Sequence, residues 1–112
     1  MNNCIFCKII KKEVKSDLVY EDEEVIGFND IYPKSPVHIL VVPKKHIQSV
    51  NVLKDEDKEL IGKMVLVARD LAKERNIFET GYRLTFNTGK DAGQTVDHIH
   101  LHLMGGKKLL FA

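Results

Sequence analysis

Tryptophan is absent from this chain, and only three prolines and two cysteines occur among its 112 residues. Two cysteines set two residues apart cannot build the disulfide framework that staples small secreted domains, so the fold must rest on an apolar core. A chain of this length buries roughly two-thirds of its unfolded surface, which is enough for such a core and suits one domain rather than two. Long hydrophobic runs are lacking as well. The longest, Ile39 to Pro43 and Met64 to Ala68, fall far short of the roughly 18 apolar residues of a membrane span. The opening residues, Met1-Asn-Asn-Cys-Ile-Phe-Cys-Lys8, hold no apolar leader core, so a cytoplasmic protein without membrane attachment is expected.

Neither sign of charge dominates. There are 17 Lys and Arg against 16 Asp and Glu, a formal net charge of +1. That balance lacks the basic excess of a nucleic-acid binder, although a small local phosphate site remains open. Repeats, low-complexity tracts and Pro/Gly/Ser linkers are missing too, so residues 1–112 read as one domain. With 44% hydrophobic and 29% charged residues, the composition is that of an ordinary globular protein.

Periodicity supplies the elements. Residues 4–13 place Ile5, Phe6, Ile9 and Ile10 at helical spacing among lysines, a short amphipathic helix. Leu18–Tyr20 and Val25–Phe28 read as strands around an acidic turn at Glu21–Glu24, and the prolines of Tyr32–Pro36 mark another turn. Val37–Val42 reads as a central strand. A long helix is expected from about Asp55 to Arg75, with Leu60, Ile61, Met64, Val67, Ala68, Leu71 and Ala72 as its apolar stripe and Asn76 closing it. Strands follow at Tyr82–Asn87 and His98–Met104, joined by a glycine-rich loop over Thr88–Thr95. The expected fold is α+β: an antiparallel sheet of about five strands, a short N-terminal helix and one long helix, with the helices on one sheet face.

The last strand, Asp97-His98-Ile99-His100-Leu101-His102-Leu103-Met104, alternates without a break. Side chains of a strand alternate between faces, so three imidazoles share one face and three aliphatic residues the other. Core packing explains the aliphatic face; a coincidental solvent-facing stripe is the bland account of the histidines. One metal cannot take all three, since alternate residues lie ~6.6 Å apart and the outer two stand roughly 13 Å apart at Cα, against ligand bonds of ~2.0–2.1 Å. The three must therefore divide at least two tasks.

Cys4-Ile-Phe-Cys7 is a C-x₂-C pair able to give a zinc ion two thiolates, with two more ligands to come from His38, His46, His98, His100 or His102. A redox pair is the rival, but the strand of a βαβ unit does not precede it. Two buried small side chains are the third account. The loop Asn87–Thr95 lacks the Gly-Lys-Ser/Thr of a P-loop, and a strand rather than a helix follows it. It reads either as a plain connection or as a phosphate cradle in which Gly93 lets backbone N–H groups approach an anion and Thr95 donates a hydroxyl.

His98-Ile-His-Leu-His-Leu-Met104, preceded by Gly93-Gln-Thr95 and followed by Gly105-Gly106, closely resembles the signature of the histidine triad (HIT) family. The resemblance spans nearly the whole chain. It takes in Cys4–Ile10, Phe28–Ile31, the run Pro36–His46 and Gly81–Asn87. The Gly-Gly after the triad is similar to the nucleoside phosphoramidase (HINT) branch rather than to the dinucleoside polyphosphate hydrolases.

The resemblance implies a HIT-like fold and a hydrolase of purine nucleoside 5′-phosphoramidates, aminoacyl forms included. A dinucleoside polyphosphate hydrolase and a regulatory nucleotide-binding protein are the alternatives. By the same resemblance His100 is the nucleophile that forms a nucleotidyl-histidine, flanked by His102 and His38. Asn87, Gly93, Gln94 and Thr95 complete the phosphate cradle with His100 and His102. Asp30 meets the ribose, and Ile5, Phe6, Ile9, Phe28 and Ile31 line the base pocket, although each of these could be ordinary core. Zinc-bearing relatives imply a structural ion on Cys4, Cys7, His46 and His98, leaving His100 and His102 free. Relatives also imply a homodimer that uses part of the Leu60–Ala72 stripe. Three departures from the branch stand out: Thr95 replaces serine, Asp97 replaces an aromatic, and the tail Lys107–Ala112 lacks tryptophan and a terminal Pro-Pro-Gly.

Overall fold

Alternating apolar residues in the central strands decide where the two helices lie. The computed structural model describes residues 3–110; Met1, Asn2, Phe111 and Ala112, and with them the end of the divergent tail, fall outside the described residues. The elements run α1 (Ile5–Ile10), β1 (Leu18–Glu21), β2 (Val25–Asn29), β3 (Val37–Pro43), α2 (Lys58–Glu74), β4 (Tyr82–Phe86) and β5 (Leu101–Gly105), with short 3-10 turns between. The strands form one antiparallel sheet in the order β1-β2-β3-β5-β4. The expected α+β architecture of five strands with one short and one long helix is the one observed.

One expectation fails. The helices do not share a sheet face. Val25, Ile39, Val41, Leu101 and Leu103 point to one side, where Met64, Val67, Ala68, Leu71 and Ala72 of α2 cover them. Ile26, Phe28, Leu40 and Val42 point to the other, where Phe6 and Ile9 of α1 cover them. β2 and β3 are apolar on both faces, as strands buried on both sides must be, and each face therefore needs its own cover. The α2 stripe foreseen as a dimer surface is largely consumed by this core, and Leu60 and Ile61 pack against its margin. Val65 and Leu66, outside the stripe, are the apolar residues that α2 leaves exposed.

Helix ends follow local chemistry. α1 is shorter than the periodicity suggested: Lys12 turns left-handed at φ 65° and sends its N–H to Ile9 O, while Glu13 N–H reaches Lys8 O. α2 ends the same way, with Asn76 at φ 61° and Ile77 N–H on Ala72 O, so Asn76 does close it. At its start Asp55–Asp57 form a 3-10 turn rather than helix, and Asp57 receives the Lys54 N–H and the Lys45 ammonium.

The last strand begins at Leu101, not at His98. Upstream the chain leaves the β3 ladder, because Ile99 N–H bonds Ile47 O and the His98 ring donates to Pro43 O. Gly105 closes the strand in a tight place, where a Cβ would come within 2.8 Å of Ile77 Cδ1. Next to it Gly106 adopts φ 94°, a left-handed conformation suited to glycine.

Candidate functional site

Register sets the side chains of the site. Leu40 of β3 pairs with His102 and His38 with Met104, while across β5 Thr85 pairs with His102 and Arg83 with Met104. Opposed residues of antiparallel strands share a face, so these six side chains lie on the α1 side of the sheet. His98 and His100 precede the strand but are buried with them, and Phe6 of α1 meets His98, His100 and Phe28 edge-on at ring separations of 5.9, 5.1 and 5.5 Å.

Hydrogen bonds assign the imidazole protons. His100 Nδ1 lies 2.8 Å from the His98 carbonyl oxygen, which can only accept, so Nδ1 carries the proton and Nε2 keeps a lone pair. The Lys34 N–H donates to His38 Nδ1 at 3.0 Å, so His38 is protonated at Nε2. That Nε2–H lies 2.9 Å from His102 Nδ1, which must accept it; His102 therefore presents Nε2–H. Asp30 Oδ2 stands 3.4 Å from the same His38 nitrogen. By distance alone Asp30, His38 and His102 could hold a metal ion. The tautomers argue otherwise, because His38 Nε2 has no lone pair to give while Lys34 holds Nδ1.

All these rings are neutral near pH 7. Burial pushes His38 and His100 below the usual imidazole range, against the raising effect of Asp30 on both. Burial, followed by the neighbouring His100 and His38, brings His102 down to about 4. The outcome is a lone pair on His100 and an N–H on His102, the arrangement a nucleophile and a hydrogen-bond donor need.

Two cavities meet at these rings. The first, of about 290 Å³, is lined by Ile5, Phe6, Ile9, Phe28, Ile31 and Leu40 with Asp30, Thr95, His100 and His102 among others. All the residues foreseen for a base pocket line it. Ile31 is an exposed rim and Phe6 a buried wall. The second, of about 540 Å³, holds His38, His102, Asn87, Gly93 and Thr95, and also Tyr32, Lys34, Arg83, Thr85 and Met104. Asp30, Thr95 and His102 line both.

Two loop residues also shape the loop itself. Gln94 lines neither cavity: its side-chain oxygen takes the Gly89 N–H and its amide donates to Gln48 O and Val96 O, so it braces the loop. The Gly93 N–H goes to Lys90 O, and its φ of 86° makes the turn that the loop requires. Asp30, foreseen at the ribose, lines the first cavity while Oδ1 accepts the Tyr32 N–H. Tyr32, Lys34, Arg83, Thr85 and Met104 were not foreseen. Arg83, Thr85 and Asn87 alternate visibly in the sequence, but only the pairing of Thr85 with His102 shows that they face the histidines.

Beside the site stands a separate cluster. Cys4 Sγ and Cys7 Sγ lie 3.3 and 3.6 Å from His98 Nδ1, Cys7 Sγ lies 3.3 Å from His46 Nδ1, and the two Nδ1 atoms are 3.1 Å apart. His98 donates Nε2–H to Pro43 O at 2.8 Å, which leaves Nδ1 free to ligate. Tetrahedral coordination by two thiolates and two imidazoles puts donors ~3.3–3.8 Å apart, close to what is observed. Burial and the adjacent Cys4 push the Cys7 thiol up, a cost that a cation among these donors would reverse. The cluster could hold a metal ion. Cys4 Sγ also caps α1, accepting the Cys7 N–H at the helix start.

Residues 3–109 match a family model described as scavenger mRNA decapping enzyme C-term binding. The purine nucleoside phosphoramidase of Escherichia coli (strain K12) is 47% identical over 105 residues, covering 94% of this chain and 88% of the relative. Protein HitA of Neisseria gonorrhoeae is 45% identical over 105 residues, covering 94% and 97%. Among solved structures, a HIT family hydrolase from Legionella pneumophila Philadelphia 1 superposes with a TM-score of 0.96 at 44% identity, covering 97% of each chain.

Proposed function

The chain belongs to the histidine triad (HIT) family, and from that premise we propose that it hydrolyses purine nucleoside 5′-phosphoramidates, aminoacyl forms included, through a nucleotidyl-His100 intermediate. The observation that carries the reading is the tautomer of His100. Its Nδ1–H is tied to the His98 carbonyl, so the unprotonated Nε2 is held in place beside His102 in the cavity both line. Phe6 packs edge-on against the ring.

In this reading the purine sits among Ile5, Phe6, Ile9, Phe28 and Ile31, with Asp30 near the ribose. The α-phosphate lies at the junction of the two cavities, where Thr95, Asn87 and the glycine-rich loop surround it. His100 Nε2 attacks phosphorus and the P–N bond breaks. His102 Nε2–H, oriented through His38, donates to the phosphoryl oxygen or to the departing nitrogen as charge develops there. Water then attacks the phosphoryl-histidine and frees the nucleotide. That relatives at 47% identity carry the name purine nucleoside phosphoramidase favours P–N over P–O–P cleavage.

Zinc fits the Cys4, Cys7, His46 and His98 cluster, whose two thiols and two imidazoles suit its preferences. With four protein ligands it would serve as a structural cross-link of α1 to the sheet. A homodimer is also proposed, through the open edge of β4 and the exposed Val65 and Leu66 of α2. The setting is taken as cytoplasmic, where thiols stay reduced; among the described residues no helix is long and apolar enough to cross a membrane.

The test compares a fluorogenic adenosine phosphoramidate with a diadenosine polyphosphate, using wild type and His100→Ala. Amidate turnover should exceed polyphosphate turnover and fall at least about 10³-fold in the variant. Activity that survives the substitution refutes the role of His100.

A further inference from the structure

The second cavity lies beyond His102 from the base pocket, and its charge does not match a neutral leaving group. Asp30, Thr95 and His102 line both cavities, so the phosphorus belongs at that boundary. With the nucleoside in the first, apolar cavity, the departing amine must occupy the second. Two cations line it, Lys34 at the rim and Arg83 on the sheet face. Asp30 is the one acid in that lining; it is engaged by the Tyr32 N–H and stands beside His38. Among the described residues no carboxylate pairs with Lys34 or Arg83, and the Lys34 ammonium donates to Tyr32 O.

A half-buried guanidinium without an acidic partner is uncommon, because removing its charge from water is costly unless an anion compensates. Arginine presents a planar fork that matches a carboxylate with two parallel hydrogen bonds. The same cavity offers the Tyr32 ring and the Met104 thioether, surfaces for an organic side chain rather than for a phosphate chain.

We propose that Lys34 and Arg83 form a leaving-group subsite for a carboxylate on the departing amine, so that the favoured substrates are nucleoside phosphoramidates of amino acids with a free carboxylate. This rests on the P–N hydrolysis reading above. Phosphoramidate and carboxylate repel each other, and the two cations offset that repulsion where the amine carries its acid group close to phosphorus.

The experiment measures kcat/KM for adenosine phosphoramidates of alanine and of alanine methyl ester. Wild type is compared with the double variant Lys34→Gln, Arg83→Gln. The two amines differ in basicity, but equally for both proteins, so the change in the acid-to-ester ratio isolates the subsite. That ratio should fall about tenfold or more in the double variant. The Lys34 backbone N–H that orients His38 survives the substitution. An unchanged ratio overturns the proposal.

Binding to His100→Asn protein, measured by calorimetry, reads the subsite without chemistry. In that background the double substitution should weaken the acid amidate about tenfold relative to the ester, and equal weakening of both overturns the proposal. If wild type turns over neither amidate, the hydrolase reading fails while the binding comparison still decides the subsite. Diadenosine triphosphate is the third ligand. Greater weakening of its binding than of the acid amidate's would assign the cations to a phosphate chain and overturn the carboxylate assignment.

Discussion

A histidine becomes a useful nucleophile when one nitrogen is occupied and the other is not, and each ring here is set by a different partner. The His98 carbonyl fixes His100, and the Lys34 amide fixes His38, which in turn fixes His102. His38 thus acts through His102. Its replacement in His38→Ala should lower kcat about 10–10²-fold while AMP affinity, measured by calorimetry on the same protein, changes little. A loss confined to AMP affinity would place His38 in binding instead. Much of this residue-level picture was legible beforehand. Strand alternation and the ~13 Å span expected of the outer histidines already required the three to divide at least two tasks, although the strand itself begins only at Leu101. The tautomers were not legible, because they depend on the local turns that aim the His98 carbonyl at His100 and the Lys34 amide at His38, and on the approach of His38 to His102 from separate strands. The side-chain hydrogen bonds of Gln94, to Gly89, Gln48 and Val96, were equally hidden in the sequence.

Among the elements, α1 is too short to be stable alone; the Cys4 thiol caps its start and backbone hydrogen bonds close its end. Its first turn carries Cys4 and Cys7 toward His46 and His98, and Phe6 toward His100. Cys4→Ser should therefore reduce bound zinc, counted by elemental analysis, and lower the melting temperature by roughly 10 °C or more. Amidate turnover should drop with it as Phe6 leaves the ring. Normal zinc content in the variant would exclude Cys4 as a ligand.

The β1–β2 turn is a second local device. Burial would raise the Asp22 carboxyl, but the Tyr20 hydroxyl, the Glu24 N–H, the Lys63 ammonium and the Val25 N–H together hold it well below the usual carboxylate range. A carboxyl whose pKa is lower folded than unfolded stabilises fully above the unfolded value of ~3.9, and that contribution fades as pH falls through the folded value. Asp22→Asn should cost about 1 kcal/mol at pH 7 by urea unfolding. The gap from wild type should close progressively below about pH 4; a gap constant with pH would exclude the ionised carboxylate as its source. At this scale element identity was readable from periodicity. Helix placement was not, since β2 and β3 are apolar on both faces and their sequence does not say which helix covers which.

For the molecule as a whole, that division leaves a definite surface. α2 commits Met64, Val67, Ala68, Leu71 and Ala72 to the sheet, so an interface through this helix must use what faces away from it, Val65 and Leu66. β4 is an edge strand, and an edge without a neighbour offers unpaired backbone groups to a second copy. Two copies joined along β4 would continue the sheet and bring their α2 helices together on one side of it. A partner laid on the α1 side would instead cover the cavities. Association is thus expected through the edge and α2, with the histidine face left open to substrate. Leu66→Glu would place a like charge on both sides of that contact, where desolvating it is costly. Light scattering should show wild type at twice the 12.8 kDa chain mass and Leu66→Glu at the single-chain mass. The His100 site lies on the opposite face, so AMP affinity should persist in the monomer. A wild type that runs as a monomer at micromolar concentration excludes this interface, and a variant that remains dimeric moves it away from α2.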